Sequence, residues 1–336
     1  MKNNIFFYAT KELSQDAFIC WLMSYAMKDA KKDEGLCQCA KDLIRQFVGN
    51  ECCNELWVTN IQRQYKSIDV LITVNDRYLI LVEDKTYTNE HDDQLARYKA
   101  ILEEDFPKKI KKCVFWKIGF QSDISNIIEN GYLLFERHLI LNTLEKYSSK
   151  TNNQIFLDYY EFIKELDYEI SLFKELPVIE WKWQQINGFY DYIKKHQNLL
   201  DSSFKFNYGY VANQSGGFYG MWISNETYRR VYENEYELYL QIEFVNGQIN
   251  ICYKASAWKN SQKINGNIRS VLLGFEENGK WIDIAKKYKF NKPSRYGSGK
   301  TVTLGVYDSN PVDYKKAIDS LKKAINSFKE MVKELE

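Results

Sequence analysis

Two carboxylates and a lysine stand at matching ends of two neighbouring apolar segments. Asp69 lies at the start of the first segment, residues 68–74, while Glu83 and Lys85 follow the second, residues 78–82. The tripeptide between the segments, Asn-Asp-Arg, is of the type that connects the strands of a β-hairpin through three residues. The sequence therefore predicts an antiparallel hairpin with ionisable side chains at its open end.

The side chains at that end are expected to converge. If the two strands pair directly from the turn, antiparallel register places Asp69 opposite Glu83. Because strand side chains alternate between the faces of a sheet, Glu83 and Lys85 should point one way and Asp84 the other. In strands that are otherwise apolar, such charges must be paired, solvated or bound to a metal.

Adjacent carboxylates and an ammonium group favour phosphodiester hydrolysis. Carboxylate oxygens are the ligands that Mg²⁺ and Mn²⁺ prefer, and these ions keep several waters for a phosphate and a nucleophile. Lys85 would then stabilise developing negative charge or orient the attacking water. We expect Lys85 to be exposed and unpaired, so that its removal costs little stability.

These residues resemble the signature of the PD-(D/E)XK nuclease superfamily, which places an Asp on one core strand and (D/E)-x-K on the next. The matching residues are Asp69 and the tripeptide Glu83-Asp84-Lys85. Ile68 stands where the signature has its proline, a departure that is common in such enzymes.

Two flanking helices resemble the same superfamily. Downstream, Gln94 and Tyr98 share one face of a predicted helix, similar to the Q-x-x-x-Y element of its RecB-like and related branches. Upstream, Glu12 opens a predicted helix for which Ser14 or Asp16 is available as a cap, and it aligns with an acid before an L-A-W-L-L-like run. The resemblance covers only the first half of the chain.

The resemblance implies a restriction-endonuclease-like core and a nuclease dependent on Mg²⁺ or Mn²⁺ that acts on DNA, with RNA as the less favoured substrate. Such isolated proteins usually act in restriction, phage defence or DNA repair. Gln94 and Tyr98 would steady the substrate or Lys85. The implied catalytic residues are Glu12, Asp69, Glu83, Lys85, Gln94 and Tyr98.

The implied metal ligands are Asp69, Glu83 and the backbone carbonyl of Asp84, with Glu12 as a further ligand. Asp16 competes with Glu12 for that place, because it lies four residues further along the same helix face. The alignment favours Glu12.

Each of these residues also has a plainer interpretation. Asp69 and Lys85 fit a cross-strand ion pair, with Glu83 as a solvated neighbour. Glu12 fits a first-turn acid favoured by the helix dipole, and the glutamine and tyrosine fit an ordinary surface helix. The competing function is a catalytically silent nuclease-fold module that binds nucleic acid or a partner protein. Metal binding at the hairpin would distinguish the two.

The chain is long enough for two domains. Its 336 residues, 45% of them hydrophobic, predict a substantial core. The region of Pro177 indicates a boundary between a nuclease-like α/β domain at residues 1–176, with a mixed central sheet flanked by helices, and an α+β domain at residues 177–336. The second domain would contact DNA, dimerise or bind a partner protein. No membrane span or signal peptide is evident, so we expect a cytoplasmic protein.

In the second domain, alternating aromatic segments predict an antiparallel sheet, with Asn246-Gly247 as a hairpin turn. The predicted strands lie at residues 204–211, 218–223, 236–245 and 248–253. A final helix with one apolar face should begin near Val312. The end of a phosphate-binding P-loop is mimicked by Gly299-Lys300-Thr301, but the predicted strand that follows excludes nucleotide hydrolysis.

The net charge of +1 conceals an asymmetry. Residues 1–250 carry 29 Lys and Arg against 36 Asp and Glu, whereas residues 251–336 carry 17 against 9. The lysines from Lys315 to Lys333 fit a solvated face of the last helix, whereas the basic residues before that helix fit either solvated loops or contacts with phosphates near the rim of the cleft that holds Asp69. The residues expected to contact nucleic acid are Lys286, Lys287, Lys289, Lys292, Arg295 and Lys300.

The seven cysteines lack the order of a metal site. Neither Cys37-x-Cys39 nor Cys52-Cys53 has the two-residue gap with which thiolates commonly grip zinc, so free thiols in a reducing compartment are expected. His91, beside the predicted site, is interpreted as a solvated loop residue.

Overall fold

The computed structural model of the chain divides into two compact units, Met1–Tyr168 and Glu169–Glu336. The structure describes residues 3–9, 11–29, 33–49, 55–86, 88, 90, 93–211, 217–225, 236–257, 264, 269, 272–277, 280–295, 297 and 299–335. The interpretations of His91 and of the Cys52-Cys53 pair lie outside these residues.

The first unit contains a sheet and its flanking helices. Its strands are β1 (Val58–Tyr65), β2 (Ile68–Val74), β3 (Tyr78–Lys85), β4 (Ile110–Lys117) and β5 (Leu133–Glu136). Its helices are α1 (Glu12–Ser24), α2 (Glu34–Val48), α3 (Gln94–Asp105), α4 (Ser125–Glu129), α5 (Arg137–Ser148) and α6 (Gln154–Ser171), the last of which runs on into the second unit.

The five strands form one mixed sheet in the order β1-β2-β3-β4-β5. The first three are antiparallel neighbours, and β3, β4 and β5 run parallel. Val74 pairs with Tyr78 across the turn and Val70 pairs with Val82, which confirms the predicted hairpin register. Asn75 and Asp76 adopt left-handed φ values of 52° and 51°, which short polar side chains tolerate.

The central strand β3 is buried along its whole length. On one face of the sheet, Leu79 and Leu81 pack in a cluster with Leu95 and Leu102 of α3. Helices α1 and α2 also contact β3. Strands covered in this way are usually apolar. The charged residues at the end of β3 are an exception, and protein encloses them as well.

The second unit is built on a six-stranded antiparallel sheet in the order β12-β13-β9-β8-β7-β6, with a separate hairpin, β10-β11. Its strands are β6 (Lys205–Val211), β7 (Phe218–Ser224), β8 (Tyr236–Val245), β9 (Gln248–Ala257), β10 (Gly274–Glu277), β11 (Lys280–Asp283), β12 (Phe290–Asn291) and β13 (Thr301–Tyr307). Its helices are α7 (Trp183–Lys195), α8 (Ile284–Lys287) and α9 (Tyr314–Leu335).

The predicted strands of this unit are confirmed, and so is the hairpin turn, where Asn246 and Gly247 have φ values of 52° and 76°. The final helix begins at Tyr314 rather than Val312. Asp313 caps it, because its Oδ1 accepts a hydrogen bond of 2.8 Å from the Lys316 backbone N–H.

The predicted fold class is therefore confirmed: a mixed sheet flanked by helices, followed by a unit with an antiparallel sheet. The domain bounds drawn at residues 176 and 177 stay a prediction, as do the roles given to the two domains. In the described part of the chain, no helix has both the length and the apolar character needed to cross a membrane.

Candidate active site

The open end of the β2–β3 hairpin brings Asp69 and Glu83 together. Their positions are opposite by register, and the backbone N–H of Asp84 donates to Asp69 Oδ2 at 3.0 Å. Glu83 is fully buried and Asp69 is partly exposed. The predicted convergence of these two carboxylates is confirmed, while their roles in catalysis stay a prediction.

Lys85 lies between these carboxylates. Its Nζ is 2.5 Å from Glu83 Oε1 and 4.0 Å from Asp69 Oδ2, and it donates to the Asp84 carbonyl at 3.3 Å. The residue is only 7% exposed. The expectation of an exposed, unpaired lysine is therefore wrong: a strand covered on both sides leaves its ammonium little access to bulk water, so it pairs with the nearest acid.

Gln94 and Tyr98, at the start of α3, close the site from one side. Gln94 Nε2 donates to Glu83 Oε1 at 2.8 Å and to the Tyr98 hydroxyl at 3.0 Å. That hydroxyl donates to the Ser67 carbonyl at 2.6 Å. The four-residue spacing thus does more than form a surface helix, because it links the glutamate to the turn before β2.

Glu12, the first residue of α1, approaches the end of β3 from the other helix. Its Oε1 accepts hydrogen bonds from the Thr86 backbone N–H at 3.1 Å and from the Thr88 hydroxyl at 2.6 Å. One turn along, Gln15 donates to the Thr86 hydroxyl at 2.5 Å. The cap of the helix is Lys11, without a side-chain hydrogen bond, so the prediction that Ser14 or Asp16 caps it is wrong.

The other acids near this end have few partners. Asp16 and Asp84 are 1% and 0% exposed, and within the described part of the chain none of their carboxylate oxygens has a hydrogen-bond partner. Burial, together with repulsion from Asp69, raises the pKa of Asp16 to about 7, and the Arg63 guanidinium opposes this rise. Burial, with Asp16 next, also raises the pKa of Asp84 well above its ordinary value.

The central pair has shifted pKa values as well. Burial and repulsion from Asp69 raise the pKa of Glu83 to about 8, although the Lys85 ammonium opposes both. For Lys85, burial alone would lower the pKa, but attraction to Glu83 and Asp69 outweighs burial and raises it. An ammonium held in this way stays charged and can donate hydrogen bonds.

The donor set fits a hard divalent cation. Glu83 Oε2 is buried and has no hydrogen-bond partner among the residues that the structure describes, Asp69 stands beside it, and the Asp84 carbonyl accepts from Lys85. Among the described residues no group of three or more His, Cys, Asp or Glu side chains could hold a metal ion. A site of two carboxylates and a carbonyl suits Mg²⁺, which keeps several of its waters.

Sequence reasoning missed Lys117, at the end of β4. Parallel register pairs it directly with Lys85, and it is buried. Its position could have been found only from the pairing of β3 with β4, because residues far apart in sequence carry no spacing signal.

The six basic residues expected to contact nucleic acid lie in the second unit, on α8 and between it and β13, and all six are exposed. Lys287 Nζ forms an ion pair with Glu334 Oε2 at 2.8 Å, and the glutamate offsets its charge. Their expected place at the rim of the site stays a prediction.

Comparison with known proteins identifies the family. No curated protein and no solved structure matches the chain. A family model described as the PD-(D/E)XK nuclease superfamily matches residues 3–172, about half of the chain. This span contains the hairpin, the two helices that flank it and every residue of the site described above. The chain belongs to the PD-(D/E)XK nuclease superfamily.

Proposed function

We propose that the protein is a metal-dependent nuclease that hydrolyses phosphodiester bonds in DNA. One observation carries the proposal: Glu83, fully buried at the end of the central strand, faces Asp69 and keeps one carboxylate oxygen without a hydrogen-bond partner among the described residues. A buried carboxylate with free acceptor capacity destabilises the fold unless something binds it, and membership of the nuclease superfamily favours a divalent cation as the bound group.

Asp69, Glu83 and the Asp84 carbonyl would hold Mg²⁺ or Mn²⁺, with Glu12 as a further ligand. The bound ion would act as a Lewis acid on the phosphate and would lower the pKa of a bound water. Gln94 donates a hydrogen bond to Oε1 of Glu83, so that Oε2 of the same glutamate would be available to the metal. Tyr98 in turn fixes Gln94.

Lys85 would act as a donor rather than as a base. Because the neighbouring carboxylates raise the pKa of Lys85, its Nζ is an ammonium throughout the neutral range. An ammonium has no lone pair with which to accept a proton. It would therefore stabilise the negative charge that develops on the phosphate, or hold the attacking water by donating to it. The pathway, whether restriction, phage defence or DNA repair, stays a prediction.

The test combines metal binding with cleavage. We expect the purified protein to bind Mn²⁺ in calorimetry and to cut plasmid DNA with Mg²⁺ but not with a chelator. Asp69→Asn and Glu83→Gln should each reduce cleavage by at least about 10²-fold and weaken Mn²⁺ binding. Glu103→Gln is the matched control, because Glu103 is an exposed acid of the same unit that pairs with Lys111.

The outcomes separate the candidate functions. Cleavage of RNA in preference to DNA would change the substrate and keep the chemistry. Nucleic-acid binding without Mn²⁺ binding or cleavage would replace the nuclease with the catalytically silent module.

A further inference from the structure

Lys117 is enclosed in a way that is unusual for a lysine. It ends β4 directly beside Lys85 and is 1% exposed. Its Nζ donates to the backbone carbonyl of Thr88 at 2.5 Å. Among the described residues, its acceptor is thus a carbonyl rather than a carboxylate. Burial of an ammonium without a direct counter-ion is expensive, so an apolar side chain of similar size would pack there at lower cost.

The contact of Lys117 leads to Glu12. The Thr88 residue whose carbonyl accepts from Lys117 also donates its hydroxyl to Glu12 Oε1 at 2.6 Å. Burial lowers the pKa of Lys117 to about 8, and the strongest opposing attraction comes from Glu12. The ammonium therefore acts on this glutamate in two ways, through Thr88 and through its charge.

The same glutamate is held at a second point. Glu12 Oε1 also accepts from the Thr86 backbone N–H, one residue beyond the end of β3. Thr86 and Thr88 thus form a bracket around one carboxylate oxygen. Lys117 holds the bracket from the side of β4 by donating to the Thr88 carbonyl.

We propose that Lys117 is a positioning residue that fixes the Thr86–Thr88 bracket and so orients Glu12 toward the metal site. The consequence for catalysis rests on the proposed nuclease function. Residues that orient a metal ligand typically change metal affinity or activity by about 10- to 100-fold when they are removed. An effect of this kind is expected from Lys117 although it is too enclosed to touch a substrate.

The first test measures metal affinity. Lys117→Met removes the donor and the charge at nearly constant size, and we expect it to weaken Mn²⁺ binding about tenfold in calorimetry. Lys117→Arg keeps the charge and the donors and should recover part of the affinity. Lys99→Met is the control, because Lys99 also donates to a backbone carbonyl, that of Asn130 at 2.7 Å. A folded Lys117→Met protein with unchanged Mn²⁺ affinity would overturn the proposal.

If Lys117→Met does not fold, Thr88→Val tests the same link from its exposed side. This variant removes the hydroxyl that donates to Glu12. Weaker Mn²⁺ binding supports the bracket, and unchanged binding overturns it.

A second test needs no metal and separates this proposal from the proposed function. In chelator, the changes in melting temperature caused by Lys117→Met and by Glu12→Gln should not add in the double variant, because the two residues act through one network. Additive changes would overturn the proposal. A wild-type protein that binds no Mn²⁺ would instead overturn the proposed nuclease function. The comparison of the two single variants with the double variant in chelator would still decide the role of Lys117.

Discussion

Lys85 in the first unit and Lys287 in the second are both paired with a glutamate, yet their surroundings differ. The Lys85 and Glu83 side chains are 9% and 0% exposed, whereas those of Lys287 and Glu334 are 55% and 27% exposed. A charge pair in water costs little to keep and contributes little. A buried pair loses its hydration, and its attraction repays that loss only in good geometry.

The comparison shows where charge carries information about function. Exposed lysines on α8 are compatible with many roles, including none. The end of β3 instead keeps several ionisable groups where apolar residues would be cheaper, and some of their oxygens have no partner. Because this arrangement is costly to the fold, its functional interpretation is stronger than that of the basic section.

The variant Lys85→Met tests this difference between the buried and the exposed ion pair, and it should have the largest effect. We expect cleavage to fall by at least about 10²-fold, because the donor to the phosphate or water is lost. Removing one partner of a buried pair should also cost about 3–5 kcal/mol of the free energy of unfolding at pH 9. The loss should shrink at pH 6, where Glu83, with a pKa of about 8, takes up a proton.

Cleavage assays and urea unfolding at both pH values check this prediction, with Lys111→Met as the control for an ion-paired lysine of the same unit. An equal stability loss at the two pH values would show that Glu83 is not the group left uncompensated. Surviving cleavage would assign the activity to another site.

A second prediction concerns the pH dependence of stability without metal. Burial raises the pKa of Glu83 from 4.5 to about 8 and that of Asp16 from 3.8 to about 7. Groups with a raised folded-state pKa contribute stability below their unfolded pKa, and that contribution is lost as the pH rises through the folded value. The metal-free protein should therefore melt at progressively lower temperature from about pH 5 to pH 9.

Melting curves in chelator test this, and Glu83→Gln should flatten the upper part of the profile while Asp16→Asn flattens the lower part. Added Mg²⁺ should stabilise the protein more at pH 9 than at pH 6, because metal binding needs the ionised carboxylates. A profile that keeps its slope in both variants would show that the pH dependence arises elsewhere.

The hairpin could be predicted from sequence because its information is local. A period of two and a three-residue turn fix which side chains face each other, so the pairing of Asp69 with Glu83 follows from counting. The exposure of Lys85 could not be predicted from residue spacing, because it depends on how α1, α2 and α3 cover the strand. Lys117 could not be found for a related reason: it reaches Lys85 only through a parallel pairing across an intervening helix.

The second unit shows the same division between local and distant information. Alternating aromatic residues and one turn were enough to predict four strands. The pairing of Lys287 with Glu334 joins residues far apart in sequence, so it could not be predicted from charge counts. Of the six basic residues expected to contact nucleic acid, Lys287 is thus the least suited to do so.

The smallest expected effect tests whether the basic section contacts DNA at all. Arg295 and Lys300 are exposed. If each contacts one phosphate, the double charge reversal Arg295→Glu and Lys300→Glu should lower the slope of log affinity against log salt by about one per lost contact. The loss of affinity should shrink as salt rises, and Mn²⁺ affinity at Asp69 and Glu83 should barely change, because salt screens exposed charges.

The matched control is Lys322→Glu with Lys323→Glu, two exposed lysines of α9 that fit a solvated helix face. Binding titrations at several salt concentrations should separate the two double variants, since an equal change of net charge is made in both. The same slope in both would mean that only net charge matters, because non-specific attraction does not depend on where the charges lie. An unaltered slope in the Arg295 and Lys300 variant would leave the second unit with dimerisation or binding of a partner protein as its role.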